Sequence, residues 1–314
     1  MSLPELPEHT HVYRNHLLNS THWDLFVPRD DDIIICSAYS AGSTWVQTIV
    51  ATLVFRQENL PAPVMELSPW VDRYSHGGSV EALTAMLDDQ NHRRILESHV
   101  PLNALRFFPQ CKYIVVARDG RDVFMSLWAR SRNYSAVALE RLRAAGEELG
   151  EPWPARPDDL EAFWAQWLTE SSVAWESDGY LYGSMFQHVA SWWPYRELPN
   201  VLLVHYRDLM KDLESQVERI AAFLEIPVRP GQLPGLLPGI SFAAMSDKAE
   251  DILGVHAQDW RGGAESFFAR DSVGAWSAAL DPEALRLFDA ALTRNLAPEA
   301  ARWLQGGEAP SAKN

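Results

Sequence analysis

Three short stretches carry residues whose types and spacing suit chemistry on an anion. The first is Ser40-Ala41-Gly42-Ser43-Thr44, a small-residue turn between an apolar run and a helical pattern that begins at Trp45. Successive backbone N–H groups at a helix N-terminus attract phosphate; Gly42 permits close approach, and Ser43 and Thr44 add hydroxyl donors. This is not a Walker A loop, because its first glycine is missing and no lysine follows Gly42. Alone, it reads better as an ordinary strand-to-helix turn. The second stretch is Arg118-Asp119-Gly120-Arg121-Asp122, with Ser126 on the helical pattern that comes after it. An arginine at the carboxyl end of a strand stands where open α/β sheets bind ligands, and it can grip a phosphate through parallel N–H donors. The competing arrangement is an Arg118–Asp122 or Arg121–Asp119 surface pair. The third is Glu97-Ser98-His99, where a histidine closes an apolar strand and is suited to proton abstraction near neutrality. A lone histidine is more often a satisfied structural residue, so the three stretches matter as a set.

The elements that must position them are set by periodicity. Residues 32–38 form a continuous Ile-rich run, as expected of a strand buried on both faces, and Trp45, Ile49 and Leu53 then recur at helical spacing. Residues 93–100 and 111–117 repeat the strand theme, and 200–226 give strand, turn and helix. In that helix Asp208 is a candidate cap, and Leu209, Leu213, Val217, Ile220 and Leu224 face one way. Alternation of strands and helices predicts an α/β fold, a single P-loop-like domain with a mostly parallel, doubly wound sheet flanked by helices. Residues 1–30 read as an N-terminal segment packing on the domain through Trp23, Leu25 and Phe26. The domain proper spans 31–304, with a helical, tryptophan-dense cover at 131–195, and 305–314 is a flexible tail.

In this order the pieces resemble the cytosolic-type sulfotransferase family, including its bacterial members. The family's Y-P-K-S-G-T-T-W loop matches Tyr39-Ser40-Ala41-Gly42-Ser43-Thr44-Trp45, and its K-T-H-x-P segment matches Glu97-Ser98-His99-Val100-Pro101. Its V-x-R-(N/D)-x-x-D-x-x-x-S segment matches Val116 to Ser126, and its Y-E-D-(M/L) stretch resembles Tyr206-Arg207-Asp208-Leu209. A Ser-Phe pair is matched by Ser241-Phe242, and the C-terminal F-F-R-K-G-x-x-G-x-W by Phe267-Phe268-Ala269-Arg270-Asp271, Gly274 and Trp276. The resemblance implies a co-substrate, 3′-phosphoadenosine 5′-phosphosulfate (PAPS), with the desulfonated PAP as product. It implies that Ala41, Gly42, Ser43 and Thr44 hold the 5′-phosphate, that Arg118, Ser126 and Arg270 hold the 3′-phosphate, and that Trp45, Tyr206 and Phe242 enclose the adenine. His99 becomes the base that activates a hydroxyl or amine of a small-molecule acceptor.

The chain departs from that pattern at its cations. The loop lysine aligns with Ser40, the lysine beside the base with Glu97, and the R-K-G triplet reads Ala269-Arg270-Asp271. Losing one fixed donor to developing charge typically costs about 3–4 kcal/mol of barrier lowering. The hydroxyls of Ser40, Ser43 and Thr44 and the helix N-terminus offset part of that. Residues two apart on a strand share a face, so Glu97 and His99 are expected to project together. Glu97 would then orient His99 or favour its protonated form, and favour a neutral or cationic acceptor; the alternative is a Glu97 pair with Arg93 or Arg94.

A formal charge of −15, from 27 Lys+Arg against 42 Asp+Glu, argues against a protein that coats nucleic acid or takes a polyanionic acceptor. Cys36 and Cys111 lie in apolar runs and read as buried free thiols of a reducing compartment. The N-terminus lacks an export signal and no apolar run reaches the about 18 residues of a membrane span, so the expectation is a cytoplasmic protein with no membrane partner. No metal is implied, since neither H-E-x-x-H nor paired-cysteine spacing occurs. The oligomeric state is left open, a homodimer included. Two other functions compete with an active transferase: a related protein that binds nucleotide or another anion without transfer, and an NTP-hydrolysing enzyme, which would need the lysine that is absent.

Overall fold

The run Ile33-Ile34-Ile35-Cys36 is apolar at every position. Such a segment buries all its side chains and pairs all its backbone groups only in the middle of a sheet covered on both faces. The structure is a computed structural model that describes residues 6–74, 80–228, 231, 233–268 and 273–307. In it this run forms β1 (Ile33–Ser37), flanked by β2 (Ile95–Ser98) and β3 (Lys112–Ala117), with β4 (Val201–His205) beyond β3. The order is β2-β1-β3-β4 and every pairing is parallel. Ile35 lies opposite Glu97 on one side and Ile114 on the other. Ile33 and Ile35 point into one core and Ile34 and Cys36 into a second, so the sheet is wrapped from both sides. Cys36 and Cys111 are buried free thiols.

Three helices frame the carboxyl end of the sheet. The first, α1 (Ser43–Phe55), starts directly after the β1 loop; α2 (Gly120–Ser131) starts after β3, its Asp119 cap accepting from the Arg121 N–H at 2.9 Å. The third, α3 (Ala136–Leu149), opens the tryptophan-dense stretch, in which Trp164, Trp167 and Trp192 pack as core around Phe124, Phe186 and Phe288. Trp175 of that stretch stays on the surface. At the amino ends of the strands, Arg94 donates to both oxygens of Asp32, at 2.9 and 2.5 Å, and to the Val27 carbonyl at 2.7 Å. Both side chains are fully buried, and Arg94 lies over the Phe26 ring.

Some expectations change. Trp23 and Phe26 anchor the N-terminal segment, but Leu25 is 40% exposed. Asp208 does not cap the long helix after β4, because the chain makes two helices there, Tyr206–Lys211 and Leu213–Phe223. Asp212, in the break between them, caps the second by accepting from the Ser215 N–H. The last described helix, Pro298–Gly306, runs into the expected tail, whose residues from 308 lie outside the described ones. Among the described residues no helix is long and apolar enough to cross a membrane.

Candidate functional site

The strand order reverses at β1: β2 is on one side of it and β3 on the other. A crevice opens between the loops that leave the carboxyl ends of β1 and β3, which is where doubly wound sheets bind ligands. The β1 loop is shaped for close approach. Ser40 has φ +60° and Gly42 φ +104°, both in the left-handed region. A Cβ at Gly42 would stand 2.6 Å from Tyr206 Cδ2, so conformation and space both require glycine. The loop delivers the chain into α1 without a side-chain cap, leaving the first N–H groups of the helix to a ligand. Ser40 Oγ is buried and has no hydrogen-bond partner among the described residues, and Arg118 Nε, at the end of β3, is in the same condition. Buried polar atoms are rarely left so, and two donors here that face one crevice are complementary to an anion.

Arg118 makes no pair with Asp122, whose Oδ1 instead accepts from the Gly274 N–H at 2.8 Å. The pair that forms is Arg121–Asp119, at 2.5 Å. That leaves the Arg118 guanidinium against the Tyr206 ring, 4.5 Å from its centroid. Tyr206 belongs to an aromatic group with Trp45, at 5.2 Å, and Phe242, at 6.5 Å; Trp45 and Phe242 are 5.9 Å apart. The Trp45 indole is fixed by donating to the Ile240 carbonyl at 2.8 Å. Such a cage takes a planar base by its faces.

His99 stands just past β2. Its Nδ1 is 2.8 Å from the Ser37 carbonyl, and a carbonyl only accepts, so Nδ1 carries a proton and in the neutral imidazole the lone pair is on Nε2. Nε2 lies 3.5 Å from Glu97 Oε1. The ring is clamped between Tyr39, stacked at 4.5 Å, and Trp70, edge-on at 4.9 Å. Its backbone N–H donates to Asp72 Oδ1, and Asp72 also accepts from the indoles of Trp23 and Trp70 and from Ser98 Oγ. The alternative partners of Glu97 are engaged elsewhere, Arg94 with Asp32, and Arg93 with the carbonyls of Asp31 and Leu224.

One cavity of about 750 Å³ joins these parts. Of the residues singled out in the sequence, Ser40, Gly42, Ser43, Thr44, Trp45, Glu97, His99, Arg118, Ser126, Tyr206 and Phe242 all line it. Ala41 is buried behind the loop, and Arg270 lies outside the described residues. Sequence reasoning missed Ser37, whose carbonyl fixes the tautomer of His99 and leaves no trace in residue type. It missed Asp72 too, whose partners Trp23, Ser98 and the His99 N–H come from other segments of the chain.

The sulfotransferase domain family matches residues 30–299. A glycolipid sulfotransferase of Mycobacterium bovis is 30% identical over 286 residues, covering 84% of this chain and 85% of the relative. Among solved structures, mouse sulfotransferase SULT7A1 in complex with PAP superposes with TM-score 0.67 at 22% identity, covering 91% of this chain and 92% of that one. Retinol dehydratase in complex with androsterone and PAP gives 0.68 at 18% identity, covering 88% and 84%. The family match extends over the whole sheet and both loops that frame the crevice, and on that ground the chain belongs to the sulfotransferase family and is an enzyme of sulfuryl transfer.

Proposed function

We propose that the protein transfers the sulfuryl group of PAPS to a hydroxyl or amine of a small-molecule acceptor, with His99 as general base, in the cytoplasm. The observation that carries this reading is the His99 tautomer. With Nδ1–H bound to the Ser37 carbonyl, the basic Nε2 belongs to the same cavity as the two unpartnered donors Ser40 Oγ and Arg118 Nε. The residues present fit the co-substrate. Gly42, Ser43 and Thr44 at the start of α1 would take the 5′-phosphate, Arg118 and Ser126 the 3′-phosphate, and Trp45, Tyr206 and Phe242 the adenine. Ser40 would offer a hydroxyl where the family has its lysine.

When bound, PAPS supplies an electrophilic sulfur. The acceptor oxygen bonds to it as its proton passes to His99 Nε2, and the sulfur–phosphate oxygen bond breaks with its electron pair on the departing phosphate, leaving PAP. The resulting imidazolium faces the Glu97 carboxylate at 3.5 Å, an opposite charge that stabilises it. Glu97 thereby recovers part of what the absent lysine would contribute, at the base rather than at the leaving group.

Titration with PAP by calorimetry, beside ATP, tests the nucleotide half. Micromolar binding of PAP, absent for ATP and weakened by about 10–100-fold in Arg118→Ala, is the expected result. An acceptor screen with sulfur-labelled PAPS then tests the chemistry. His99→Gln should lower kcat by about 10²–10⁴-fold with PAP affinity retained, and Glu97→Gln by about tenfold, one charge-assisted contact. Tight PAP binding with no turnover of any acceptor would instead favour a protein that binds nucleotide without transfer.

A further inference from the structure

The outer wall of the cavity carries charge that sulfuryl transfer itself does not use. Arg73, three residues beyond Trp70, donates from Nη2 to Asp259 Oδ2 at 3.1 Å and from Nη1 to His256 Nδ1 at 2.8 Å. Arg141, on α3, grips the same carboxylate at 3.1 and 2.9 Å. A guanidinium only donates, so His256 Nδ1 must accept and its ring is neutral. Burial first, and then the charge of Arg73, push that imidazole down to about 4. Two cations therefore share one carboxylate. Each guanidinium has five N–H donors; Arg73 uses two of them here, and Arg141 donates one to Oδ2 while its Nη2 stands 2.9 Å from Oδ1 as an ion pair.

Among the described residues Arg73 and Arg141 pair with Asp259 and with no other carboxylate. Asp72 accepts from two indoles, a hydroxyl and the His99 N–H; Glu97 stands beside His99; Glu66 lies against Gly254. The wall between this cluster and the base is aromatic. The Trp70 ring is 4.9 Å from the His99 ring and 5.8 Å from the Arg73 guanidinium carbon, so one indole separates base from cation. Tyr134 stacks on Trp260 at 5.4 Å, and both line the cavity. Tyr39 Oη is buried with no partner among the described residues, and burial, then the charge of Asp72, keeps the phenol protonated as a donor.

We propose that Arg73 and Arg141 receive a carboxylate of the acceptor, and that the acceptor is a hydroxyarene whose carboxylate lies about one ring away from the reacting hydroxyl. The planar guanidinium fork matches a carboxylate, and the flat walls match the ring between the two groups. Glu97 stands beside His99 at 3.5 Å, at the end of the acceptor that carries the reacting hydroxyl, and makes no pair with Arg73 or Arg141 among the described residues. The proposal rests on the sulfuryl-transfer reading of the cavity, and the test separates the two.

The test compares 4-hydroxyphenylacetate with its methyl ester as acceptors for the wild type, Arg141→Leu and Arg141→Lys. In the wild type kcat/KM should favour the acid by about 30-fold or more, the size of one hydrogen bond to a charged group. That preference should collapse in Arg141→Leu and survive largely in Arg141→Lys, with PAP affinity confirming that each variant is folded. Equal use of acid and ester by the wild type, or a preference unchanged in Arg141→Leu, would overturn the proposal. Calorimetric binding of 4-hydroxyphenylacetate to the PAP-loaded protein supplies a readout without turnover. Binding that depends on Arg141, with no sulfate transferred, would uphold the anion site and remove the catalytic reading. Transfer to the ester with no binding of the acid would do the reverse.

Discussion

At the amino end of the sheet, Asp32 and Arg94 close on each other through two hydrogen bonds, and a third Arg94 donor finds the Val27 carbonyl. At the carboxyl end, Ser40 Oγ, Tyr39 Oη and Arg118 Nε are just as hidden from water and have no partner among the described residues. The same parallel sheet thus has one end whose buried ion pair is closed internally and one whose buried donors face an open cavity. Unsatisfied groups cost stability, and strained loop conformations such as that of Ser40 add to the cost. The carboxyl end can carry that load because the two-faced core and the closed amino end supply the stability it lacks.

The largest expected effect that would break this contrast is at the closed end. Arg94→Met strands a buried carboxylate and should cost about 3–5 kcal/mol of folding stability, measured by urea denaturation, while the folded fraction binds PAP as before. A variant that lost nucleotide affinity but not stability would show the two ends to be coupled rather than divided. At the open end the pattern should invert. Arg118→Ala is expected to leave the denaturation midpoint nearly unchanged but weaken PAP by about 10–100-fold, the range of hydrogen bonds to a charged donor.

The smallest effect concerns His188, on the helix Met185–Trp192 behind His99. It is fully buried, neither ring nitrogen has a partner among the described residues, and burial, then the charge of His99, push it down to about 3. Because the folded protein refuses a proton that the unfolded chain accepts below about 6.5, stability falls as pH drops from there toward 3. His188→Met removes that loss and an unsatisfied pair of nitrogens. It should gain about 1 kcal/mol at about pH 7, with the advantage growing toward about pH 5 in a thermal-unfolding series. A destabilised His188→Met at every pH would mean that the ring is held by something the contrast does not include.

The strands were legible in the sequence because their chemistry is monotonous: Ile33–Cys36 and the Val and Leu of β4 admit no other placement. The candidate site was legible wherever a single residue type stands at an element's end, as with Gly42, Arg118 and His99, which line one cavity. It was not legible where separate segments converge. Arg73, Arg141 and Asp259 come from three separate segments, and each alone reads as a surface charge. Asp208 failed as a cap for a related reason, since the periodic Leu and Val pattern continues across Asp212 and conceals a break that only the backbone reveals.

Cys36 lies in β1 between paired neighbours on both sides, its thiol raised well above the ordinary range first by burial and then by Asp72 and Glu97. A thiol in that state reacts with an alkylating reagent only when the central strand is exposed, so its labelling rate in the folded protein is a clock for the rarest opening the sheet undergoes. Since the loop after β1 is the one expected to close on phosphate, a ligand bound there should slow the clock. An atom with no part in the chemistry would then report, from inside the core, whether the crevice at the strand's end is filled.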